Sequence, residues 1–217
     1  MTNYWDNKFI SKIEGKINII LEVGARYGTE TLKLSEKFSN AKIYSFECNP
    51  NTIDICKQKL NSNPNIQFMP FGLGKENTKL PFYSYSGNDG ASSFLKRIDF
   101  DKTQKMTGEI KLQKMSDFLK ENDIKSIDLL CMDVQGFELN VLKGAEDFLS
   151  KIKYIIMEEP KPVINTTYLP ENTYSKYIDN PTPNEISNFM NENKFKEIQR
   201  IDENYIEDNV MYKNTNF

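Results

Sequence analysis

The stretch Ile17-Asn18-Ile19-Ile20-Leu21-Glu22-Val23-Gly24-Ala25-Arg26-Tyr27-Gly28 is a nearly continuous apolar run closed by an acid and a glycine-bearing turn. Beyond the turn, Leu32, Leu34 and Phe38 recur at helical spacing, so the segment reads as a strand leading into a helix. The same pattern follows at once. Lys42-Ile43-Tyr44-Ser45-Phe46-Glu47 is a second strand, and Asn49-Pro50 opens a helix over residues 52–60, proline being suited to a first helical turn.

Working outward, residues 66–71 read as a third strand, followed by a short apolar and aromatic segment at 80–85 and a surface loop, Ser86-Gly87-Asn88-Asp89-Gly90-Ala91-Ser92-Ser93. A helix at 116–121 precedes a fourth strand, 127–133, and a helix carrying Phe137, Val141, Leu142 and Phe148. A fifth strand, 154–159, ends in Glu158-Glu159. The Pro-, Asn-, Thr- and Tyr-rich connection at 160–183 is too long for an ordinary link and is a candidate substrate loop or lid, with Tyr168, Tyr174 and Tyr177 able to stack on a sugar. A helix at 184–193 and two strands, 195–201 and 209–213, close the chain and could pair as a hairpin.

Short, nearly uniformly apolar strands alternating with amphipathic helices imply a parallel sheet covered on both faces, the doubly wound α/β class. No internal repeat or linker divides the chain, so residues 1–217 are expected to form a single domain. In such sheets ligands collect beyond the carboxyl ends of the strands. The residues just after each strand are therefore the ones that can carry function.

Composition narrows the chemistry. The 28 basic and 31 acidic residues leave a formal charge of −3, which offers nucleic acid no general attraction. No apolar run is long enough for a membrane span, and the polar start lacks a secretory signal, so a cytoplasmic location is expected. Cys48, Cys56 and Cys131 form no CxxC pair and suggest neither a disulfide framework nor a zinc site. There is no histidine. That excludes Ser-His-Asp and Cys-His catalysis and leaves carboxylate, lysine or tyrosine for proton transfer.

In the first turn Gly24 and Gly28 are separated by Ala25-Arg26-Tyr27, where a dinucleotide site needs a central glycine for the backbone to approach a pyrophosphate. A ligand without a diphosphate needs only the tight turn. Glu22, at the strand end, could meet an ammonium group. Glu47 follows Gly24 by 23 residues, close to the spacing at which an acid takes up ribose hydroxyls in a nucleotide-binding βαβ unit. A carboxylate there accepts from both hydroxyls of an adenosine ribose.

Glu22-Val23-Gly24-Ala25-Arg26-Tyr27-Gly28, then Ser45-Phe46-Glu47-Cys48-Asn49-Pro50, then Ile127-Asp128-Leu129-Leu130-Cys131-Met132-Asp133-Val134-Gln135-Gly136-Phe137-Glu138 before Val141-Leu142-Lys143-Gly144-Ala145 resemble the successive motifs of FkbM-type S-adenosylmethionine-dependent methyltransferases. The resemblance covers residues 15–160, extends weakly to the last strands, and is most specific in Asp133-Val134-Gln135-Gly136-Phe137-Glu138. It implies a Rossmann-like seven-stranded methyltransferase sheet, mostly parallel with an antiparallel last strand and helices on both faces. It also implies that Gly24, Ala25 and Gly28 shape a methionine pocket, that Glu47 beside Cys48 binds the ribose, that Phe71-Gly72-Leu73 lies near adenine, and that Ser92-Ser93 belongs to a loop close to the cofactor. Two positions depart from the pattern: Arg26 stands where asparagine is usual, and Gly72 where alanine is commoner.

The expected reaction is methylation of a sugar, glycan or metabolite hydroxyl by in-line displacement, with S-adenosylmethionine as cofactor. Asp133, at the end of the fourth strand, and Glu138, in the first turn of the next helix, are the leading catalytic pair, with Glu159 as a further candidate base. The bland reading makes Asp133 a helix cap and Glu138 a partner of the helix's positive end. A minority reading places Mg²⁺ on Asp133, Glu158 and Glu159. Two alternatives remain at this stage: a nucleotide-binding oxidoreductase on the same scaffold, and a cofactor-binding module without catalysis.

Overall fold

The computed structural model describes residues 6–85, 89–97, 104–161, 177–203 and 206–217. Residues 1–5, Tyr168, Tyr174 and most of the expected lid lie outside the described residues, as do Ser86, Gly87 and Asn88 of the expected surface loop.

The strands are β1 (Ile19–Val23), β2 (Lys42–Phe46), β3 (Ile66–Met69), β4 (Gly72–Gly74), β5 (Thr78–Tyr85), β6 (Gln104–Lys114), β7 (Ile127–Met132), β8 (Ile152–Pro160), β9 (Phe195–Asp202) and β10 (Glu207–Asn214). The helices are α1 (Asn7–Ile10), α2 (Thr29–Lys37), α3 (Ile53–Leu60), α4 (Met115–Glu121), α5 (Glu138–Lys143) and α6 (Pro183–Glu192). Seven strands form one sheet in the order β3-β2-β1-β7-β8-β10-β9. All neighbours from β3 to β8 run parallel, and β10 is antiparallel to both β8 and β9. The expected seven-stranded sheet with an antiparallel last strand is present, and β9 and β10 form the expected hairpin.

Alternation along the strands builds two cores. Leu21, Val23, Tyr44, Phe46, Leu130, Met132, Ile155 and Met157 face α4, α5 and α6, packing with Phe118, Leu119, Val141, Leu142, Ile186 and Met190. The intervening Ile20, Ile43, Leu129, Cys131, Tyr154 and Ile156 pack on Phe9 and Leu34 from α1 and α2. Because both faces are covered, these strands carry no polar face and read as apolar runs. Helix α6 begins with a reciprocal cap: Glu185 N donates to Thr182 Oγ1 at 3.2 Å while Thr182 N donates to Glu185 Oε2 at 2.8 Å, with Pro183 in the first turn.

The structure departs from the sequence expectations in the middle of the chain. The third strand ends at Met69, and Gly72–Gly74 belongs instead to a second, three-stranded sheet ordered β4-β6-β5. In its long member β6 only Leu112 is buried and most residues are polar, which is why a search for apolar runs passes over it. The helix expected through Phe148 is divided into α5 and a 3-10 turn, Glu146–Lys151, Glu146 having φ of 50°.

The second sheet is locked to the first through Gly144 at the end of α5. A Cβ built there would stand 1.9 Å from the Gly74 carbonyl oxygen. Backbone cannot yield as a side-chain tip can, so Gly144→Ala is expected to cost about 1–3 kcal/mol or more through overpacking. Urea unfolding followed by tryptophan-independent far-ultraviolet dichroism measures it. An unchanged midpoint would show that α5 and β4 do not approach this closely.

Candidate active site

The turn after β1 crosses to the tip of β2. Gly24 N and Ala25 N both donate to Phe46 O at 2.9 Å, and Gly24, at φ 94°, sits so close to β7 that a Cβ would stand 2.0 Å from Asp133 O. Arg26 takes φ of 52°, a left-handed conformation in which asparagine is the commoner non-glycine residue. Its amide donates to Glu47 Oε2 at 2.5 Å, while Asn49 N donates to Glu47 Oε1 at 2.6 Å. Glu47 is thus held by one backbone amide from each loop. Burial pushes its pKa up to about 7, against the lowering effect of those amides.

These loops line a cavity of about 240 Å³ at the carboxyl edge of the sheet. One side is the turn, with Gly24, Ala25, Arg26 and Glu30; Glu47 and Cys48 follow at the tip of β2. Beyond Glu47 a narrower, mainly apolar slot opens between Phe46, Phe71, Gly72, Leu73, Phe94 and Phe137. The end of the lining formed at the carboxyl ends of β7 and β8 carries Asp133, Gln135 and Glu158, with Glu207 from β10, and the Asp133 backbone lies against Gly24.

Gln135 organises that end. At φ 55° its side-chain amide donates to Asp133 Oδ1 at 2.7 Å and to Glu158 Oε2 at 3.0 Å, holding two carboxylates with one group. The amide oxygen receives the Tyr177 hydroxyl at 2.7 Å, and that hydroxyl also lies 2.9 Å from Ala91 O. Ser93 Oγ donates to Gln135 O at 2.8 Å. Tyr27 OH donates to Asp89 Oδ2 at 2.8 Å, so the 89–93 segment is fastened to both ends of the cavity.

The structure therefore brings together Gly24, Ala25, Arg26, Glu47, Cys48, Ser93 and Asp133 around one cavity, with Phe71, Gly72 and Leu73 in the slot beside it. Gly28 stays behind the turn, against Leu60. Glu22 is not at the cavity. Strand alternation turns it toward α2, where its Oε2 receives the Thr31 hydroxyl and the Ser45 hydroxyl at 3.3 Å, and its Oε1 has no partner among the described residues.

Glu138 and Glu159 do not line the cavity either. Glu138 is buried and its Oε1 receives Val134 N at 3.0 Å, bracing the loop that holds Asp133 and Gln135. Glu159 points away from Glu158, as neighbouring strand residues must. Its carboxylate binds Arg200 at 3.0 Å and the Tyr212 hydroxyl. The set Asp133, Glu158 and Glu159 is accordingly split, and among the described residues no three His, Cys, Asp or Glu side chains stand together as a metal site. Reading by position missed Gln135, Glu207 and Asp89. Only Gln135 carried a signal, a polar residue before a glycine inside the most specific motif.

The sequence profile described as "Methyltransferase FkbM domain" matches residues 22–197. The chain is 21% identical over 162 residues to "2-O-methyltransferase NoeI" of Sinorhizobium fredii, covering 70% of this chain and 67% of that protein. It is 27% identical over 157 residues to "Hexuronic acid methyltransferase AglP" of Haloferax volcanii, covering 67% of this chain and 59% of that one. The chain thus spans about three fifths to two thirds of these relatives. The crystal structure of a SAM dependent methyltransferase from Aquifex aeolicus superposes with a TM-score of 0.53 at 12% identity, covering 96% of this chain and 88% of that one, a likeness of fold. No described helix is long and apolar enough to cross a membrane.

The buried Glu22 gives a pH signature. Its pKa is pushed up to about 8 from an ordinary 4.5, first by burial and also by the charges of Glu30 and Glu47. An acid whose folded pKa lies above its unfolded one contributes stability that is complete below the unfolded value and lost as pH rises through the folded value. The difference in thermal midpoint between wild type and Glu22→Gln should therefore move in the variant's favour from about pH 4.5 to pH 8. A constant difference would show that folding does not raise the Glu22 pKa.

Proposed function

The chain belongs to the FkbM methyltransferase family, and on that premise we propose that it methylates a hydroxyl of a sugar or related small molecule, with S-adenosylmethionine as donor. The observation that carries this reading is the single cavity spanning Glu47 and the Asp133–Gln135–Glu158 cluster, with an apolar slot beside Glu47. The named activities of the two relatives, a 2-O-methyltransferase and a hexuronic acid methyltransferase, support a sugar acceptor.

The residues present fit such a donor. Glu47 lines the cavity with an acceptor-rich carboxylate, held by Arg26 N and Asn49 N and also by the Cys48 amide and the Thr52 side chain, and a carboxylate is the group to which ribose hydroxyls donate. The narrow slot of about 30 Å³ lined by Phe71, Gly72, Leu73 and Phe94 offers apolar contact to the edge of a base. At Gly24, the space a side chain would need is already taken by Asp133 O, so the bare backbone lets the turn close over β7. When bound, S-adenosylmethionine supplies the electrophilic methyl group.

In this proposal Asp133 accepts the proton of the acceptor hydroxyl. It lines the cavity at the tip of β7, and the Gln135 amide on its Oδ1 fixes its orientation. Glu158, held by the same amide, orients a second acceptor hydroxyl. Glu138 and Glu159 are assigned to scaffolding, because their carboxylates are engaged away from the cavity. Alignment of the two reactants removes on the order of 7–11 kcal/mol of barrier in good cases, and a placed base adds a factor of about 10²–10⁴.

Two measurements test the reading. Incubation with labelled S-adenosylmethionine and a panel of sugars and glycolipids, followed by mass spectrometry, should yield a product one methyl heavier; absence of donor or S-adenosylhomocysteine uptake in calorimetry would overturn it. Asp133→Asn should keep S-adenosylhomocysteine binding and lose turnover by about 10²–10⁴-fold. Unchanged product formation would remove Asp133 as the base.

A further inference from the structure

Glu30 is a carboxylate that neither the fold nor the proposed proton transfer uses. It sits in the first turn of α2, just past the glycine turn, and is only 8% exposed. It lines the cavity beside Gly24, Ala25 and Arg26, and its Oε1 has no hydrogen-bond partner among the described residues. A buried carboxylate oxygen left without a donor is costly, and native structures keep one where a ligand supplies the missing donor. The start of a helix explains why an acid is tolerated there, because the dipole favours negative charge. It does not explain an oxygen without a donor.

The surroundings favour a cationic donor. Glu22 and Glu47 lie close enough that like charge from Glu30 and Glu47 acts on the Glu22 carboxyl. Glu30 and Glu47 both line the cavity, whereas Glu22 lies behind the turn and Arg26 sets its guanidinium over the Tyr27 ring, so the donor that answers Glu30 Oε1 is best supplied by an ammonium.

Resting on the donor assigned above, we infer that Glu30 binds the α-ammonium group of the donor's amino-acid end, the role that position in the chain suggested for Glu22. The ammonium gives the Glu30 carboxylate its missing hydrogen bond, and the backbone turn at Gly24 and Ala25 bounds the same space.

The test compares two ligands that share adenosine and sulfur but differ in the amino-acid end. S-adenosylhomocysteine carries the ammonium; methylthioadenosine does not. Glu30→Gln should weaken S-adenosylhomocysteine binding by roughly 10- to 100-fold, as expected for loss of a charge-assisted hydrogen bond, while methylthioadenosine affinity changes less than about twofold. Glu30→Asp, which keeps the charge, should fall between. Thermal unfolding of each variant without ligand identifies a folding defect, which would weaken both ligands alike. Equal weakening of both, or no weakening of either, overturns the assignment while leaving the donor reading intact. Failure of the wild-type chain to bind either ligand overturns both together.

Discussion

The site depends on one buried carboxylate that joins two loops. Glu47 leaves β2 and accepts an amide from Arg26 in the loop after β1 and another from Asn49 in its own loop. Each bond to a charged acceptor contributes about 1.5–3 kcal/mol, more than an ordinary neutral pair. Without this carboxylate the Arg26 amide, in a left-handed turn, would lose its acceptor, and the cavity wall would lose its position. The same carboxylate lines the cavity, so the group that holds the two loops together is also the one proposed to meet the ribose.

Most of the sheet was legible because strands covered on both faces are apolar at most positions, and β1, β2, β7 and β8 are so apart from Glu22, Ser45 and residues at their ends such as Lys42, Asp128, Lys153, Glu158 and Glu159. The partner of β5 was not, because β6 offers only Met106, Ile110 and Leu112 among polar residues, although 80–85 is readable as an apolar and aromatic segment. Around the cavity, Gly24, Glu47 and Asp133 were readable from their places at strand ends. Side-chain direction was harder. Glu22 and Glu159 occupy strand-end positions as suggestive as those of Glu47 and Glu158, yet the pleat sends one beneath α2 and the other to Arg200 and Tyr212. A residue's number fixes its parity, but the face that borders a cavity becomes known only when the helices are placed.

The segment around Tyr177 shows a related limit. Its length marked it as a candidate lid, and of its three tyrosines only Tyr177 falls within the described residues. That tyrosine is buried, with its hydroxyl against Gln135 and Ala91. It supports the group that holds Asp133 and Glu158, so its ring is committed to the wall and is not free to stack on an acceptor. Support of this kind matters in a chain without histidine, because a carboxylate proposed as the base must be oriented to meet the incoming proton.

An acid-lined cavity also divides the work of catalysis. Glu30, Glu47, Asp133, Glu158 and Glu207 border the same space. Their field favours a donor with a positive sulfur over the product, whose sulfur is neutral, so this electrostatic attraction is strongest before transfer and weakens as charge is lost. Binding that is stronger in the ground state than in the transition state does not accelerate the chemical step. On the proposed reading the carboxylates near the turn therefore serve affinity and release of the spent donor. The rate is then assigned to the cluster in which Gln135 holds Asp133 and Glu158 in fixed relation, because alignment and proton acceptance are the terms that grow as the new bond forms.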